Sequence, residues 1–534
     1  MHISTSSQGS RVPYKWVVLM VVIFGSFMSI LDQTVINNAL PRLLSAFSAD
    51  LGSLQWVITA YTLTQGVVTP TTAFFANRLG TKRFYVIALI LFTLGSALCG
   101  LAWNLPSLIV FRVVQAIGGA TLFPLAITLL FHEFPPQERG LATGVLSISA
   151  LLAPAVGPTL GGYLVTYADW RLIFYINVPV GIVAIIMALL LLRERPSEGR
   201  ARFDLPGFVL AATGLTAVLY ALSSASASGW NAPVVLVTLI GGLCLLALFV
   251  VVELRTASSG KQPLVELRLF ANGPFLSSNI ANALIAFSFF GGLILLPIYL
   301  QNLRGLSAFQ SGLFTLPLAF AAVLTAIAGG RVVDRFGPRV VLFPGLVLMG
   351  LSTWQLAEVQ LSTPYPWLLL VFALRGLGLG CLVQSLTVAA LATVPPRQYA
   401  QASSLGTVIR FVFTSLGIAV LATLVQSRAA TYSTALAASL KPTSPAALAH
   451  IGKLGLNLAV QDAFWLSLGA FILAFLGVCF IRVTRPVPQE KITTLPGERL
   501  SDTHDPTDPT ETATPGSGSA RISAGSGPGD NPMA

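Results

Sequence analysis

The chain has 534 residues, 54% of them apolar and only 10% charged, with 31 Lys and Arg against 20 Asp and Glu for a formal net charge of +11. No soluble domain of that length tolerates such a composition. A nucleic-acid footprint would gather its bases on one face or helix, whereas these sit in short loops between apolar runs. Soluble and nucleic-acid-binding classes are set aside, and the chain reads as a multi-pass membrane protein in contact with lipid.

Fourteen apolar runs lie at roughly 16–38, 54–76, 84–103, 106–131, 141–166, 172–192, 205–226, 232–252, 275–301, 309–330, 340–358, 366–392, 402–426 and 462–482. Each is near the ~20 residues that a bilayer span needs. Pro70, Pro124, Pro154, Pro158, Pro297 and Pro317 fall inside runs, which membrane helices tolerate when neighbours re-satisfy the backbone. The four cysteines (Cys99, Cys244, Cys381, Cys479) lie in apolar runs without CxxC spacing, so neither disulfides nor a metal site is expected. No small-residue cleavage site follows the first run, so the first helix is expected to stay as an anchor.

An even number of spans puts both termini on one side. With the N-terminus inside, the inner loops hold Arg11, Lys15, Arg78, Lys82, Arg83, Arg139, Arg193, Arg195, Arg200, Arg202, Arg255, Lys261, Arg268, Arg331, Arg335, Arg339 and Arg397. The outer loops hold only Arg42, Arg171, Arg304, Arg428, Lys441 and Lys453. Seventeen against six predicts cytoplasmic termini. The expected outer segment from Ser427 to Gln461 is a long loop with room for a short surface helix. From about Arg485 the chain turns to Pro, Gly, Ser, Thr and Asp, which predicts a disordered tail.

An internal repeat is visible. AFFANRLGTKR from Ala73 pairs with GRVVDRFGPR from Gly330, and RVVQAIGGA from Arg112 with RGLGLG from Arg375, at offsets of 257 and 263 residues. Two six-helix halves with an inserted pair fit this spacing and the duplicated bundles of transporters. The expected layout is a cytoplasmic N-terminus at 1–15, a six-helix bundle at 16–192, a cytoplasmic linker at 193–204 and the inserted pair at 205–252. A second linker at 253–274, a second bundle at 275–482 and the tail at 483–534 complete it.

Asp32 is the only acid in the first run. A charge inside hydrocarbon costs roughly 2.5–3.5 kcal/mol even on lenient insertion scales, so such a residue is a functional candidate by default. At ~1.5 Å per residue, Asp32 lies ~6 Å below the outer edge of a ~30 Å core. Arg112, in a run that enters from outside, lies about 9 Å down. The matched depth predicts a direct or water-bridged pair able to load and release a proton. A static pair that only locks the helices is the alternative. Arg375 and Arg410 also sit inside runs and need a partner or a wet cavity.

Several motifs together resemble the major facilitator superfamily, in its fourteen-helix drug:proton antiporter branch of the EmrB/QacA type. They are LDQTVINNALP (Leu31 to Pro41), the loop after the second run, RVVQAIGGA, WRLIFYINVPVG (Trp170 to Gly181), FDLPG (Phe203 to Gly207) and IYLQNLRGLSAFQSGL (Ile298 to Leu313). Gly144, Pro154, Gly157, Pro158, Gly161 and Gly162 fit the GxxxxxxxxxPxxGPxxGG signature of proton-exchanging exporters. The resemblance covers about Trp16 to Arg482. It implies an all-α membrane protein of two six-helix bundles plus two inserted helices, with no cofactor beyond the proton gradient. It also implies that Asp32, Arg112 and Gln115 couple to protons, and that the glycines and prolines let helices approach and bend near the gate. Close packing alone is the other role for those glycines.

One motif departs from the family. In the first gating loop, Ala73 and Asn77 stand where the family has Gly and Asp, while Arg78, Gly80, Lys82 and Arg83 fit. The second copy keeps Gly330, Asp334, Arg335, Gly337 and Arg339. Either Asn77 latches the inner gate by hydrogen bonds or Asp334 carries more of that work.

The ninth and tenth runs contain no acid, and Glu358 falls at an outer end where water reaches it. One deep carboxylate suits neutral or singly charged lipophilic cargo better than dications. Trp56, Tyr61, Phe287, Phe289, Phe290 and Tyr299 are candidates to line a pocket by stacking and cation–π contact, or else they pack in the core or face lipid. Arg410 would favour anionic compounds or hold backbone carbonyls. The expected function is proton-driven export of lipophilic neutral or cationic compounds across the cytoplasmic membrane. The resemblance leaves room for a periplasmic adaptor and an outer-membrane channel. The nearest rival is an exporter dedicated to one metabolite, siderophore or amino acid. No Walker A loop or nucleophile–base constellation occurs, so neither ATP-driven transport nor an enzyme is expected.

Overall fold

The computed structural model describes residues 13–49, 51–194, 203–259, 263–440 and 444–479. The expected tail, the first 12 residues and most of the expected linker at 193–204 lie outside the described residues. Within them the chain is helical. The first bundle comprises α1 (Tyr14–Phe47), α2 (Leu51–Val68), α3 (Thr72–Leu79), α4 (Thr81–Gly100), α5 (Leu105–Glu133), α6 (Arg139–Tyr167), α7 (Leu172–Tyr175) and α8 (Asn177–Leu191). Then come α9 (Leu205–Ser228) and α10 (Pro233–Ser258). The second bundle comprises α11 (Gly273–Pro297), α12 (Ala308–Phe336), α13 (Arg339–Ala357), α14 (Tyr365–Leu391), α15 (Tyr399–Leu440) and α16 (Pro445–Cys479).

Thirteen helical segments among the described residues are long and apolar enough to cross a bilayer. The second apolar run is the exception. Pro70 withholds a backbone N–H and crowds the preceding turn, and Thr69 donates its hydroxyl back to the Gln65 carbonyl at 2.7 Å. The run therefore breaks into α2, a 3₁₀ turn at Thr69–Thr71 and α3. Some helix starts carry side-chain caps. The Asn104 side chain accepts from the Ser107 amide at 2.8 Å at α5, and Ser307 and Gln310 cap α12 reciprocally, satisfying amides that would otherwise lack partners.

Most of the outer segment expected as a loop from Ser427 to Gln461 is, among the described residues, helix. α15 runs on to Leu440 and α16 begins at Pro445. The Ala-rich stretch 427–440 carries neither Gly nor Pro, so nothing in its local chemistry ends a helix that has already nucleated.

Two large apolar cores lie mainly one in each half, though that of the first half also takes in Phe275, Leu391 and Tyr399 and that of the second half Leu151. One gathers Phe289, Tyr299, Leu346, Phe372 and Phe464; another gathers Val22, Leu89, Phe131 and Leu146. The halves meet where α6 runs along α12, while α9 packs on α2 and α15 and carries α10 on its far side. α10 turns Val237, Ile240, Leu243 and Val251 outward, the surface expected of a lipid-facing helix. The repeated loops match in backbone: Gly80 has φ 87° and Gly337 φ 88°, a region essentially closed to residues with a Cβ.

Candidate functional site

α1 delivers Asp32 into the first bundle, where it is 2% exposed. Arg112 on α5 donates from Nη1 to Asp32 Oδ2 at 2.5 Å and to Gln115 Oε1 at 2.7 Å. Gln115 Nε2, one turn along the same helix, donates to Asp32 Oδ1 at 2.8 Å. Asn177, at the start of α8, donates to the same Oδ1 at 2.9 Å and to Ser96 Oγ at 3.0 Å. Ser96 passes its own proton to the Phe174 carbonyl at 2.9 Å. The guanidinium lies 4.0 Å from the Tyr61 ring centroid and 5.7 Å from that of Phe174. A buried ion pair offsets its desolvation only when its remaining donors and acceptors are met. Here both carboxylate oxygens of Asp32 are met by Arg112, Gln115 and Asn177 and Arg112 Nη1 is shared with Gln115, while Arg112 Nε has no partner among the described residues.

Close helix approach makes this network possible. A Cβ at Gly95 on α4 would lie 2.5 Å from the Gln115 backbone, nearer than real contacts allow, so only glycine lets α4 bring Ser96 to the Gln115 and Asn177 amides that hold the carboxylate. Asn177 and Ser96 were not singled out in the sequence. The signal was there, because both are hydrogen-bonding side chains in otherwise apolar runs.

α6 links that network to the other half. A Cβ at Gly157 would meet Thr34 Oγ1 at 2.1 Å, and one at Gly161 would lie 2.9 Å from the Val35 carbonyl. Both seat α6 on α1 just beyond Asp32. Nearer its start, a Cβ at Gly144 would lie 2.3 Å from the Ala326 carbonyl of α12. Gly162 faces open space, and the Pro158 side chain lies outside the described residues.

At the end of the bundle that carries the two loops, Asp334 of α12 accepts from the Gly140 and Leu141 amides of α6 at 2.6 and 2.8 Å. A carboxylate there meets both the free amides and the positive end of the helix dipole. Asn77, the counterpart in the first loop, makes no hydrogen bond or ion pair among the described residues. Arg78 lies over Phe74, 5.8 Å from its centroid, and Arg83 pairs with Glu194 at 3.3 Å in water. Arg335 covers Phe336 at 5.2 Å, and Arg339 Nε is buried without a partner.

A cavity of about 210 Å³ lies between the halves, walled by α5, α6, α11, α12, α14 and α15. Phe123, Pro154, Phe289, Phe290, Asn279 and Arg410 stand on its wall. Of the pocket candidates only Phe290 and Arg410, with Phe289, are found there. Tyr61 is part of the Asp32–Arg112 network instead, and Trp56 stacks on Tyr220 of α9 at 5.9 Å. Tyr299 donates to the Gln360 carbonyl at 2.7 Å and accepts from Arg304 at 3.0 Å. None of the three is among the described lining residues of the cavity.

The profile of the Major Facilitator Superfamily matches residues 22–206 and 205–418. The chain belongs to that superfamily. It is 35% identical over 408 residues to a multidrug resistance protein B homolog of Mycobacterium tuberculosis, covering 76% of this chain and 75% of that one. It is 31% identical over 409 residues to the riboflavin transporter RibZ of Clostridioides difficile, covering 76% and 87%. The crystal structure of the human organic anion transporter MFSD10 superposes with a TM-score of 0.62 at 15% identity, over 88% of this chain and all of that one, a likeness of fold alone. The protein is thus a multi-pass facilitator-superfamily transporter of small substrates, and that superfamily is not one of enzymes.

Proposed function

We propose that this transporter exchanges protons for lipophilic small molecules, moving the cargo out of the cytoplasm. The observation that carries the reading is the Asp32 carboxylate, buried against Arg112 and met by Gln115 and Asn177, yet absent from the described lining of the cavity. A proton arriving on Asp32 cancels the charge that holds Arg112, so α1 and α5 lose their strongest mutual contact. α6 feels that change through Gly157 and Thr34, and Pro154 of the same helix lies on the cavity wall. Proton and cargo therefore compete through the seating of α6 rather than at one shared site. The α6–α12 clamp at Asp334 is the element that such reseating opens, in keeping with rocking of two bundles.

The excess of basic loop residues at the clamp end supports a cytoplasmic location for it and for both termini. Export across the cytoplasmic membrane follows, with the proton entering from the opposite face. The test is proteoliposomes with an imposed pH gradient and a dye cargo. Asp32→Asn abolishes gradient-driven flux on this reading, and wild-type flux in that variant sinks it. A dedicated exporter is the second reading, favoured by the 31% identity to a protein named for riboflavin. A susceptibility panel separates the two, since a dedicated exporter protects against few or none of the compounds.

A further inference from the structure

We infer that the cavity takes lipophilic organic anions, with Arg410 as the group that contacts the anionic head and Arg375 as a buried positive charge behind the aromatic wall. This rests on the transport reading above and names its cargo.

The inference starts from an imbalance between the repeats. Arg375 occupies on α14 the place that Arg112 occupies on α5. Adding the repeat offsets of 257 and 263 to Asp32 lands on residues 289–295, FFGGLIL, which contain no acid. Arg375 is 1% exposed. Among the described residues its one hydrogen bond runs from Nη1 to Thr353 Oγ1 at 2.7 Å, and its Nε and Nη2 have no partner. In place of a carboxylate it lies over the ring of Phe289, 5.3 Å from the centroid, and Phe289 is cavity wall.

Arg410 stands on the wall itself. It covers Phe123 at 4.8 Å and Phe411 at 5.9 Å, and among the described residues it has neither a hydrogen bond nor an ion pair. Both arginines lie roughly 15 Å along helices that start from opposite faces, so both sit near the middle of the bilayer. No Asp or Glu stands among the described lining residues. Asp32, the acid expected to serve a cationic cargo, is held by Arg112 elsewhere.

Two cations without counter-charges in a low-dielectric interior make a positive potential that an anion relieves and a cation worsens. Phe123, Phe289 and Phe290 give the rest of the ligand an aromatic bed, and Asn279 and Asn282 add polar side chains. A planar aromatic carboxylate or phenolate matches that combination, with the guanidinium fork of Arg410 suited to a carboxylate.

The test compares three ligands of one skeleton: naphthoate, naphthylmethanol and naphthylmethyl-trimethylammonium. Binding to the immobilised full-length protein is read by scintillation proximity with no pH gradient. Naphthoate is expected to bind at least about tenfold tighter than the other two. Arg410→Gln brings naphthoate to within about a factor of two of the alcohol, while Arg410→Lys keeps most of the preference. Equal or weaker binding of naphthoate in the wild-type protein overturns the proposal without any variant. So does a preference that survives Arg410→Gln. Because no gradient is used, a transporter that binds naphthoate this way and moves no protons loses the coupling mechanism and keeps this site.

Discussion

The two halves solve the same problem in opposite ways. Each places an arginine at the head of the corresponding motif of an apolar helix, Arg112 on α5 and Arg375 on α14, and buries it to 1% exposure. In the first half the charge is answered by Asp32 and a ring of amides and hydroxyls. In the second it is left with one threonine hydroxyl and the face of a phenylalanine. A buried charge without its partner is among the costlier arrangements in a protein interior. A duplicated scaffold that keeps such a charge beside its central cavity has a use for it. On the proposals above, the first arginine would serve the exchange of a proton and the second would shape what the cavity accepts.

The largest effect comes from making the first half like the second. Asp32→Asn strips Arg112 of its counter-charge, and proton-driven flux in proteoliposomes is expected to fall at least about a hundredfold, about 2.7 kcal/mol at ~1.36 kcal/mol per decade. Making the second half like the first is the complementary change. A Cβ on Gly292 would lie 3.1 Å from Arg375 Nη2, so Gly292→Asp supplies the missing acid where the repeat calls for it. It is expected to raise the thermal unfolding midpoint and to weaken naphthoate binding about tenfold, on the scale of one hydrogen bond to a charged group. A lower midpoint with unchanged naphthoate binding breaks the comparison.

The gating loops give the smaller effects. Asp334→Asn removes a charge from the α6 start but keeps an acceptor there, so the expected cost to the closed clamp is about 0.3–2 kcal/mol. Spin labels across the α6–α12 end should then report a severalfold rise in the open population. Asn77→Asp restores to the first loop the acid that the family carries. Since Asn77 makes no hydrogen bond among the described residues, the same spin-label distances should move least of all in that variant.

Much of this was legible before any coordinates. Helical spacing fixed the depth of each intramembrane charge, because rise per residue is nearly constant. That is why Asp32 and Arg112 could be matched from opposite directions and are found 2.5 Å apart. Depth says nothing about the direction in which a side chain faces around its helix. Tyr61 and Tyr299 had the chemistry for a pocket, yet packing turned one toward Arg112 and the other toward Gln360. Asn177 lies in a run that reads as apolar, and only the packing of α8 against both α1 and α4 makes it a partner of the carboxylate.

The amino-acid sequence by itself determined that the chain lives in a bilayer, that it is a duplication, and that one acid and one base lie at matching depth in its first half. Those facts follow from composition, from period and from depth, all properties of single helices. Only the tertiary structure decided that this acid stays off the cavity wall and that the wall carries positive charge. Those depend on how helices rotate against one another, and glycine contacts and side-chain volumes set that rotation at the seams between them.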